Sequence, residues 1–167
     1  TNVSVNTTQY GAVLGQPVKW KKEIEVGLTG ALICSKAVIP YMKKRKFGVI
    51  VNISSTHGLV APDNRIYGKG KYKAITYPVI KAGILGLTRA LASYLAPHGI
   101  RVNALSPGGV ATEYMDEQFL KAYSYQTMLG RMARKDEYNG AILFLCSDAS
   151  AYMTGANLIV DGGVTAW

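Results

Sequence analysis

The sequence predicts an α/β fold in which helices cover both faces of a parallel sheet. Short runs rich in β-branched residues, at 47–53 and 99–105, alternate with longer stretches whose apolar residues recur at helical spacing. Each of these runs is followed by a cluster of serine, proline or glycine, which is typical of a loop at the end of a strand. Regular alternation of strand and helix is the pattern of a parallel sheet with crossover helices.

The predicted elements follow one another without a repeat or an internal linker. The order is a short strand at 1–5, a helix at 17–42, a strand at 47–53, a helix at 77–96, a strand at 99–105, helices within 112–128 and 135–146, and a strand at 157–160. Pro78 suits the first turn of its helix, where a missing amide hydrogen has no consequence. The β-branched strand 47–53 is of the kind that is buried on both faces.

Composition indicates one globular domain covering residues 1–167. The chain is 49% hydrophobic and 17% charged, which allows a substantial core. Charged or turn residues interrupt every apolar run, so we expect no membrane partner. Cys34 and Cys146 form neither a CxxC nor a metal-ligand cluster, which predicts buried free thiols, no metal site and a cytoplasmic location.

The formal charge of +9 arises from lysine and arginine clusters near residues 19–22, 43–46 and 69–73. These clusters belong to no recognisable nucleic-acid docking motif, so no nucleic-acid partner is expected. Solvated helix ends and loops explain most of the charge. An attraction for phosphorylated ligands is the narrower alternative.

A tyrosine and a lysine at the start of one helix form the strongest chemical signal. Tyr77 and Lys81 are four residues apart, so their side chains share a helix face, and an ammonium group favours the phenolate that acid-base catalysis needs. Ser55, at the end of the preceding strand, can hydrogen-bond a substrate oxygen. The same spacing recurs at Tyr67 and Lys71, but two glycines between residues 67 and 71 argue against a helix there.

Four segments in order carry a family resemblance: Val-Asn-Ile-Ser-Ser at 51–55, Tyr-Pro-Val-Ile-Lys-Ala-Gly at 77–83, Ile-Arg-Val-Asn-Ala-Leu-Ser-Pro-Gly-Gly at 100–109, and Val-Asp-Gly-Gly at 160–163. Together they resemble the short-chain dehydrogenase/reductase family from about its fourth sheet strand onward, that is, its carboxy-terminal half only. The resemblance implies a truncated, partial Rossmann-type parallel sheet with helices on both faces, which lacks the amino-terminal βαβαβ nucleotide-binding half.

The same resemblance implies an NAD(P)-dependent oxidoreductase that transfers hydride on a small carbonyl or alcohol substrate. Tyr77 would be the general acid/base, Lys81 would favour its ionised form and hold the nicotinamide ribose, and Ser55 would polarise the substrate oxygen. The expected cofactor-binding residues are Tyr77, Lys81, Pro107, Gly108 and Thr112, with NAD or NADP as the cofactor. The choice of Tyr77 implies an inserted loop at 61–74, which resembles that of bacterial reductases linked to surface-sugar modification and suggests a sugar-related substrate.

Two departures from the family pattern bear on activity. Gly27 stands where the family has an asparagine that supports a proton-relay water, so proton exchange through Lys81 is expected to be impaired. Residues 11–17 are the nearest pattern to a phosphate-binding glycine loop, but Pro17 occupies the last required glycine. These departures favour an alternative function as a catalytically impaired, cofactor-free assembly module. The resemblance implies a homo-oligomer formed through helices 17–42 and 77–96.

One set of apolar side chains has two interpretations that the sequence leaves open. They either line a substrate pocket or form the inner face of a short helix. The set is Tyr114, Met115, Phe119, Tyr123 and Tyr125.

Overall fold

The computed structural model describes residues 17–167, so the predicted strand 1–5 and most of the glycine pattern at 11–17 lie outside the described residues. The elements are α1 (Pro17–Ile24), a π-helical segment (Glu25–Thr29), α2 (Gly30–Arg45), β1 (Gly48–Ile53), α3 (Thr76–Leu95), β2 (Ile100–Pro107), α4 (Glu117–Tyr125), α5 (Asn139–Cys146) and β3 (Asn157–Val160). Short 3₁₀ turns lie at Thr56–Gly58, Asn64–Tyr67, Ala96–His98 and Asp148–Ser150.

The described residues form a parallel sheet of three strands in the order β1-β2-β3. Helices α2, α3 and α5 pack against these strands, which confirms the predicted α/β class with a parallel sheet. In the register, Ile53 pairs with Leu105 and Pro107 pairs with Val160. Because the strands are parallel, their carboxyl ends meet at one edge, which is where ligands bind in open α/β sheets.

Burial differs between the strands in a way that the sequence did not predict. Strand β2 lies between its two neighbours and is almost wholly buried, including Val102, Asn103 and Ala104. Strand β1 was expected to be buried on both faces, and this is wrong for the described residues. Most of its side chains are only half-buried and Ile53 is 45% exposed, because β1 is the edge strand of the described sheet.

Helix α3 forms the main hydrophobic core together with β2. Leu91 and Leu95 pack against Ile100 and Val102, and Leu95 is fully buried. Removal of these apolar side chains from water is the main favourable term that holds the helix on the sheet. The core therefore fixes the position of the whole helix, including the end that carries Tyr77.

The helix at 17–42 is longer and less regular than its apolar spacing predicts. It continues to Arg45, and Lys46 ends it in the left-handed conformation with φ 54°. Its last turn carries Lys43, Lys44 and Arg45, whose cations suit the negative end of the helix dipole. A π-helical segment, in which the Gly30 amide donates to the Glu25 carbonyl, divides α1 from α2.

The helices predicted within 112–128 and 135–146 are shorter than expected. Helix α4 begins after Asp116, whose carboxylate accepts a hydrogen bond of 2.8 Å from the Phe119 amide and so ends the preceding loop. Helix α5 begins only at Asn139. The cysteines also differ from expectation, because both Cys34 and Cys146 are exposed free thiols rather than buried ones.

Two helical stretches of the described residues, Pro17–Arg45 and Thr76–His98, are long and apolar enough to cross a membrane by length and composition. The expectation that no apolar run reaches this length is therefore wrong. Thr76–His98 also buries one face against the sheet, as a core helix of a globular domain does. The absence of a membrane partner and the extent of a single domain over 1–167 both stay predictions.

Replacement of Leu95 by alanine tests the core between α3 and β2. We expect Leu95→Ala to lower the free energy of unfolding by about 2–5 kcal/mol, because it removes a fully buried side chain and leaves a cavity. The measurement is urea unfolding followed by circular dichroism. Leu143→Ala is the matched control, since Leu143 is 69% exposed and its truncation should have little effect.

Candidate active site

Two polar links tie the end of β1 to helix α3. Inside the strand, the buried Asn52 amide donates a 2.9 Å hydrogen bond to the Thr88 hydroxyl, which donates in turn to the Ile84 carbonyl. Just beyond the strand, Ser54 Oγ donates a 2.8 Å hydrogen bond to the Lys81 carbonyl. Both links are buried or partly buried, so breaking either would leave an unsatisfied polar group. They set the register of α3 and bring its first turns to the carboxyl end of β1.

Gly58 allows this close approach. A Cβ atom at this position would lie 2.6 Å from Ser54 Oγ and 2.8 Å from the Lys81 carbonyl oxygen. Both atoms belong to the link between β1 and α3, so neither can move away without breaking it. The turn Thr56–Gly58 therefore requires glycine for a packing reason.

Lys81 and Tyr77 meet at this end of α3. The Lys81 ammonium donates a 2.9 Å hydrogen bond to the Ile53 carbonyl and lies 5.7 Å from the centroid of the Tyr77 ring. Lys81 is half-buried, and the loss of water lowers the pKa of its ammonium group. The structure thus places a partly desolvated cation beside a phenol, which is the arrangement that acid-base chemistry with tyrosine requires.

Ser55 is buried in an extended conformation at the start of the Thr56–Gly58 turn. Its Oγ accepts a 3.2 Å hydrogen bond from the His57 amide, which leaves the hydroxyl proton free to be donated. The His57 ring meets the Tyr77 ring edge to face, with 6.2 Å between centroids. His57 therefore lies next to both Ser55 and Tyr77.

His57 carries a buried ring nitrogen, Nδ1, that has no hydrogen-bond partner among the described residues. Burial lowers the pKa of His57, and the positive charge of Lys73 lowers it further. Both effects favour the neutral form of the ring, in which one nitrogen can accept a hydrogen bond. Residue spacing does not assign His57 to this site, because only the fold turns its ring toward Tyr77.

The predicted cofactor residues Pro107 and Gly108 are neighbours at the end of β2, and Thr112 lies in the loop that follows. Pro107 ends the strand, and the Gly108 amide continues the pairing with a 2.9 Å bond to the Val160 carbonyl. A Cβ at Gly108 would lie 2.9 Å from the Asp161 backbone, so β2 and the turn after β3 approach as closely as glycine permits. Thr112 lies farther along the loop and is exposed.

Two tyrosines hold this segment in place: Tyr123, from the apolar set with two interpretations, and Tyr138, which was not predicted as a site residue. Tyr123 accepts a 2.7 Å hydrogen bond from the Gly109 amide, and Tyr138 donates a 3.1 Å hydrogen bond to the Gly108 carbonyl. Burial raises the pKa of both phenols, so they remain neutral donors and acceptors. The sequence offered no signal for Tyr138, because its partner is a backbone atom distant in the chain.

The aromatic set around α4 divides between the two interpretations. Phe119, Met115 and the buried Tyr123 pack inward with Ile66, which matches the inner face of a helix. Tyr114 and Tyr125 are 90% and 87% exposed and take no part in that cluster. The contact between this cluster and the loop at 61–74 fixes the loop on the body of the protein.

The competing tyrosine, Tyr67, lies in a different environment from Tyr77. It closes the 3₁₀ turn Asn64–Tyr67 and packs on Phe119 with 5.6 Å between ring centroids. Lys71 follows in irregular backbone, so the two side chains do not share a helix face. Of the two matching patterns, only Tyr77 and Lys81 lie on a helix.

Gly27 lies in the π-helical segment, and the space beside it is filled. A Cβ at this position would lie 2.8 Å from Cγ2 and 3.1 Å from Cδ1 of Ile80, a residue of α3 between Tyr77 and Lys81. An asparagine side chain does not fit there unless Ile80 moves. Glycine in place of the family's asparagine at position 27 is therefore consistent with the packing of Ile80 from the neighbouring helix α3.

Lys73, from the predicted inserted loop, is a second cation at Tyr77. Its ammonium lies 4.2 Å from the Tyr77 ring centroid, closer than that of Lys81, and burial lowers its pKa. Lys73 and Tyr77 border an open cavity of about 630 Å³ between α1 and α3, which also reaches Gly27 and Ile80. From the sequence, Lys73 was only one member of the basic cluster at 69–73. Its contact with Tyr77 could not be predicted, because residue spacing does not determine the conformation of a loop.

Comparison with known proteins gives the family. The family profile described as enoyl-(acyl carrier protein) reductase matches residues 5–165, and the chain belongs to this family of short-chain dehydrogenases/reductases. The predicted limit to the family's carboxy-terminal half is wrong, because the match begins at residue 5 and includes the amino-terminal region of the chain. The described fold is accordingly Rossmann-like, with a parallel sheet and helices.

The similar proteins are dehydrogenases and reductases. The chain is 44% identical to trans-4-hydroxycyclohexanecarboxylate dehydrogenase of Sinomonas cyclohexanicum over 89% of this chain and 52% of that protein. It is 34% identical to the 3-oxoacyl-[acyl-carrier-protein] reductase FabG of Aquifex aeolicus over 87% of this chain and 56% of that protein. The chain thus spans about half the length of the curated relatives that it matches.

Solved structures agree with this assignment. A short-chain dehydrogenase from Leptospira borgpetersenii with bound NAD⁺ has a TM-score of 0.83 at 36% identity, over 90% of this chain and 57% of that chain. A gluconate 5-dehydrogenase from Burkholderia cenocepacia, in complex with NADP and tartrate, has a TM-score of 0.81 at 31% identity, over 91% of this chain and 58% of that chain. These neighbours hold NAD or NADP.

The packing of Gly27 against Ile80 predicts the effect of restoring asparagine. We expect Gly27→Asn to lower the free energy of unfolding by about 1–3 kcal/mol, because the new side chain overlaps a β-branched neighbour. The cost should shrink in an Ile80→Ala background, which a double-mutant cycle of urea unfolding measures. Gly86→Asn is the control, since a Cβ at Gly86, within α3, meets no atom within 4 Å. Equal costs at the two glycines would contradict the steric explanation.

Proposed function

We propose that this protein is an NAD(P)-dependent oxidoreductase that transfers hydride on a carbonyl or alcohol substrate. The observation that carries the proposal is the Lys81 ammonium, which the Ile53 carbonyl holds beside Tyr77 at the carboxyl end of β1. Family membership and the dehydrogenase relatives support it. Ser55, Tyr77 and Lys81 are the proposed catalytic residues.

The roles follow from the chemistry of each group. Tyr77 gives its phenolic proton to a carbonyl oxygen during reduction and takes it back during oxidation. The half-buried ammonium of Lys81 stabilises the phenolate that forms. Ser55 has a free hydroxyl proton to donate to the same substrate oxygen, which orients the oxygen toward the phenol.

The described residues fit the nicotinamide end of NAD or NADP. Lys81 uses one of its three ammonium hydrogens on Ile53, so the others remain for the ribose hydroxyls. Pro107 and Gly108 lie at the carboxyl end of β2, where parallel sheets bind dinucleotides, and Thr112 follows in the exposed loop. When bound, the nicotinamide ring supplies or accepts the hydride. We propose Tyr77, Lys81, Pro107, Gly108 and Thr112 as cofactor contacts.

A second candidate function is an assembly module with little or no turnover. The filled space at Gly27 favours it, because no side chain there can support a proton-relay water. Exposed apolar residues of α2, among them Ile33 and Tyr41 at 60% and 75% exposure, offer a surface for another chain. Homo-oligomerisation through helices 17–42 and 77–96 remains a proposal under either function, as does a cytoplasmic location.

The relatives' names suggest the first substrates to test. The Sinomonas relative is named for a hydroxycyclohexanecarboxylate, and the Burkholderia structure for gluconate. A sugar-related carbonyl substrate also stays a prediction. We propose trans-4-hydroxycyclohexanecarboxylate with NAD⁺ or NADP⁺ as the first assay.

Cofactor binding separates the two functions. We expect calorimetric titration of the folded protein with NADH and NADPH to show saturable binding of at least one. A folded protein that binds neither would contradict the oxidoreductase proposal and favour the assembly module. Circular dichroism of the same sample supplies the control for folding.

Tyrosine replacement tests the catalytic assignment. We expect Tyr77→Phe to lower kcat by at least about 100-fold, because it removes the phenolic proton of the ring that lies beside Lys81. Tyr67→Phe is the matched control and should leave most of the activity, since Tyr67 packs on Phe119 away from a helix-borne lysine. The reverse ranking in steady-state assays would assign the reaction to the inserted loop instead.

A further inference from the structure

Lys73 is the cation at Tyr77 that the proposed reaction does not use. Its ammonium lies over the Tyr77 ring at 4.2 Å from the centroid, while Lys81 approaches at 5.7 Å and is held by the Ile53 carbonyl. Lys81 accounts for the stabilisation of a phenolate. A second ammonium at the same ring therefore calls for a separate explanation.

The loop holds Lys73 in this place. The Lys73 amide donates a 2.9 Å hydrogen bond to the Asn64 side chain, at the start of the turn Asn64–Tyr67. Asp63, whose pKa the Arg65 guanidinium lowers to about 2, joins this turn to α4 by accepting a 2.9 Å hydrogen bond from Gln126. Ile66 anchors the turn in the core. The position of Lys73 thus follows from a built loop rather than from a free surface chain.

Lys73 forms no ion pair in the part of the chain that the structure describes. Residues 1–16 contain neither Asp nor Glu, so they cannot supply a side-chain carboxylate either. A half-buried ammonium without a counter-charge is unfavourable, and an anion that binds beside it would recover that free energy.

The cavity beside Tyr77 carries a net positive charge, which suits an anion. Lys19, Lys22 and Lys73 line it with one acidic residue, Glu23. Glu23 is already engaged, because it pairs with Lys19 at 3.8 Å and accepts a hydrogen bond from the Thr76 hydroxyl. The surroundings of Tyr77 are therefore electropositive on the side that faces the cavity.

We propose that Lys73 is a specificity-determining residue that binds a carboxylate on the substrate, so that the site selects hydroxy or oxo acids over neutral alcohols and ketones. The inference rests on the proposed function, because it takes Tyr77 as the group that contacts the reacting oxygen. A carboxylate is favoured over a phosphate, since of the three lysines that line the cavity Lys73 is the one that lies over the Tyr77 ring, and it makes one point contact there, whereas a phosphate group is usually held by several donors. The carboxylate belongs to the substrate rather than to the cofactor because Lys73 lies at the proton-transferring phenol.

The test compares one acid with its neutral counterpart. Wild-type protein and Lys73→Met are titrated calorimetrically with trans-4-hydroxycyclohexanecarboxylate and with the corresponding carboxamide, in saturating NADH, so that an alcohol and a reduced cofactor cannot react. Methionine keeps the apolar stem of lysine and the backbone bond to Asn64. We expect Lys73→Met to weaken carboxylate binding by about 10- to 100-fold and to leave carboxamide binding unchanged.

Two further variants control for charge alone. Lys71→Met removes an exposed cation from the same loop and should change neither affinity. Lys73→Arg keeps the charge and should recover much of the preference for the carboxylate. Equal loss in Lys71→Met and Lys73→Met would overturn the inference in favour of general electrostatic attraction.

The remaining outcomes are also decisive. Equal affinity of the wild type for acid and amide, or no detectable binding of the acid, overturns the inference. Weaker NADH binding by Lys73→Met also overturns it, because the anion at Lys73 would then belong to the cofactor. Failure of the proposed function is read separately, from the absence of NADH binding by the wild type, and the acid and amide titrations still decide the role of Lys73.

Discussion

Ser54, the first residue beyond β1, donates its hydroxyl hydrogen to the carbonyl of Lys81, and the geometry of the candidate site depends on this bond. Together with the buried link from Asn52 to Thr88, it fixes where along β1 helix α3 begins. The Lys81 ammonium then reaches back to the Ile53 carbonyl. The end of β1 thus donates one hydrogen bond to α3 and accepts another from it. A shift of α3 by one residue would break all three bonds and separate the phenol from the serine.

The charge of the site follows from the same geometry. Two half-buried ammonium groups, Lys81 and Lys73, approach Tyr77, and neither forms an ion pair with a carboxylate among residues 17–167. Desolvation lowers the pKa of both amines, so their charge is more easily lost than that of an exposed lysine. Two partly desolvated positive charges at one ring are electrostatically unfavourable, and a bound anion or a phenolate would stabilise them. In the proposed reaction, Lys81 stabilises the phenolate and Lys73 binds the anionic ligand.

At Gly27 the packing of Ile80 excludes the asparagine side chain that a proton-relay water would require. The π-helical segment turns Gly27 toward α3, where Ile80 fills the adjacent space. An asparagine at this position would require a smaller residue at 80, so the two positions are coupled. Ile80 also lies between Tyr77 and Lys81 on α3, so a change that makes room for a polar side chain also alters the support of the site.

The sequence by itself determined the parallel α/β class through local periodicity, and its motifs pointed to the right family although the limit to the carboxy-terminal half was wrong. The choice of Tyr77 with Lys81, which depends on spacing within one helix, stays a prediction. The sequence also located Ser55 at the end of β1. Tertiary structure alone decided the half-buried state of β1, the exposure of Cys34 and Cys146, and the approach of Lys73 and His57 to Tyr77. Those features depend on which distant segments pack together and exclude water, and residue spacing along the chain carries no information about that.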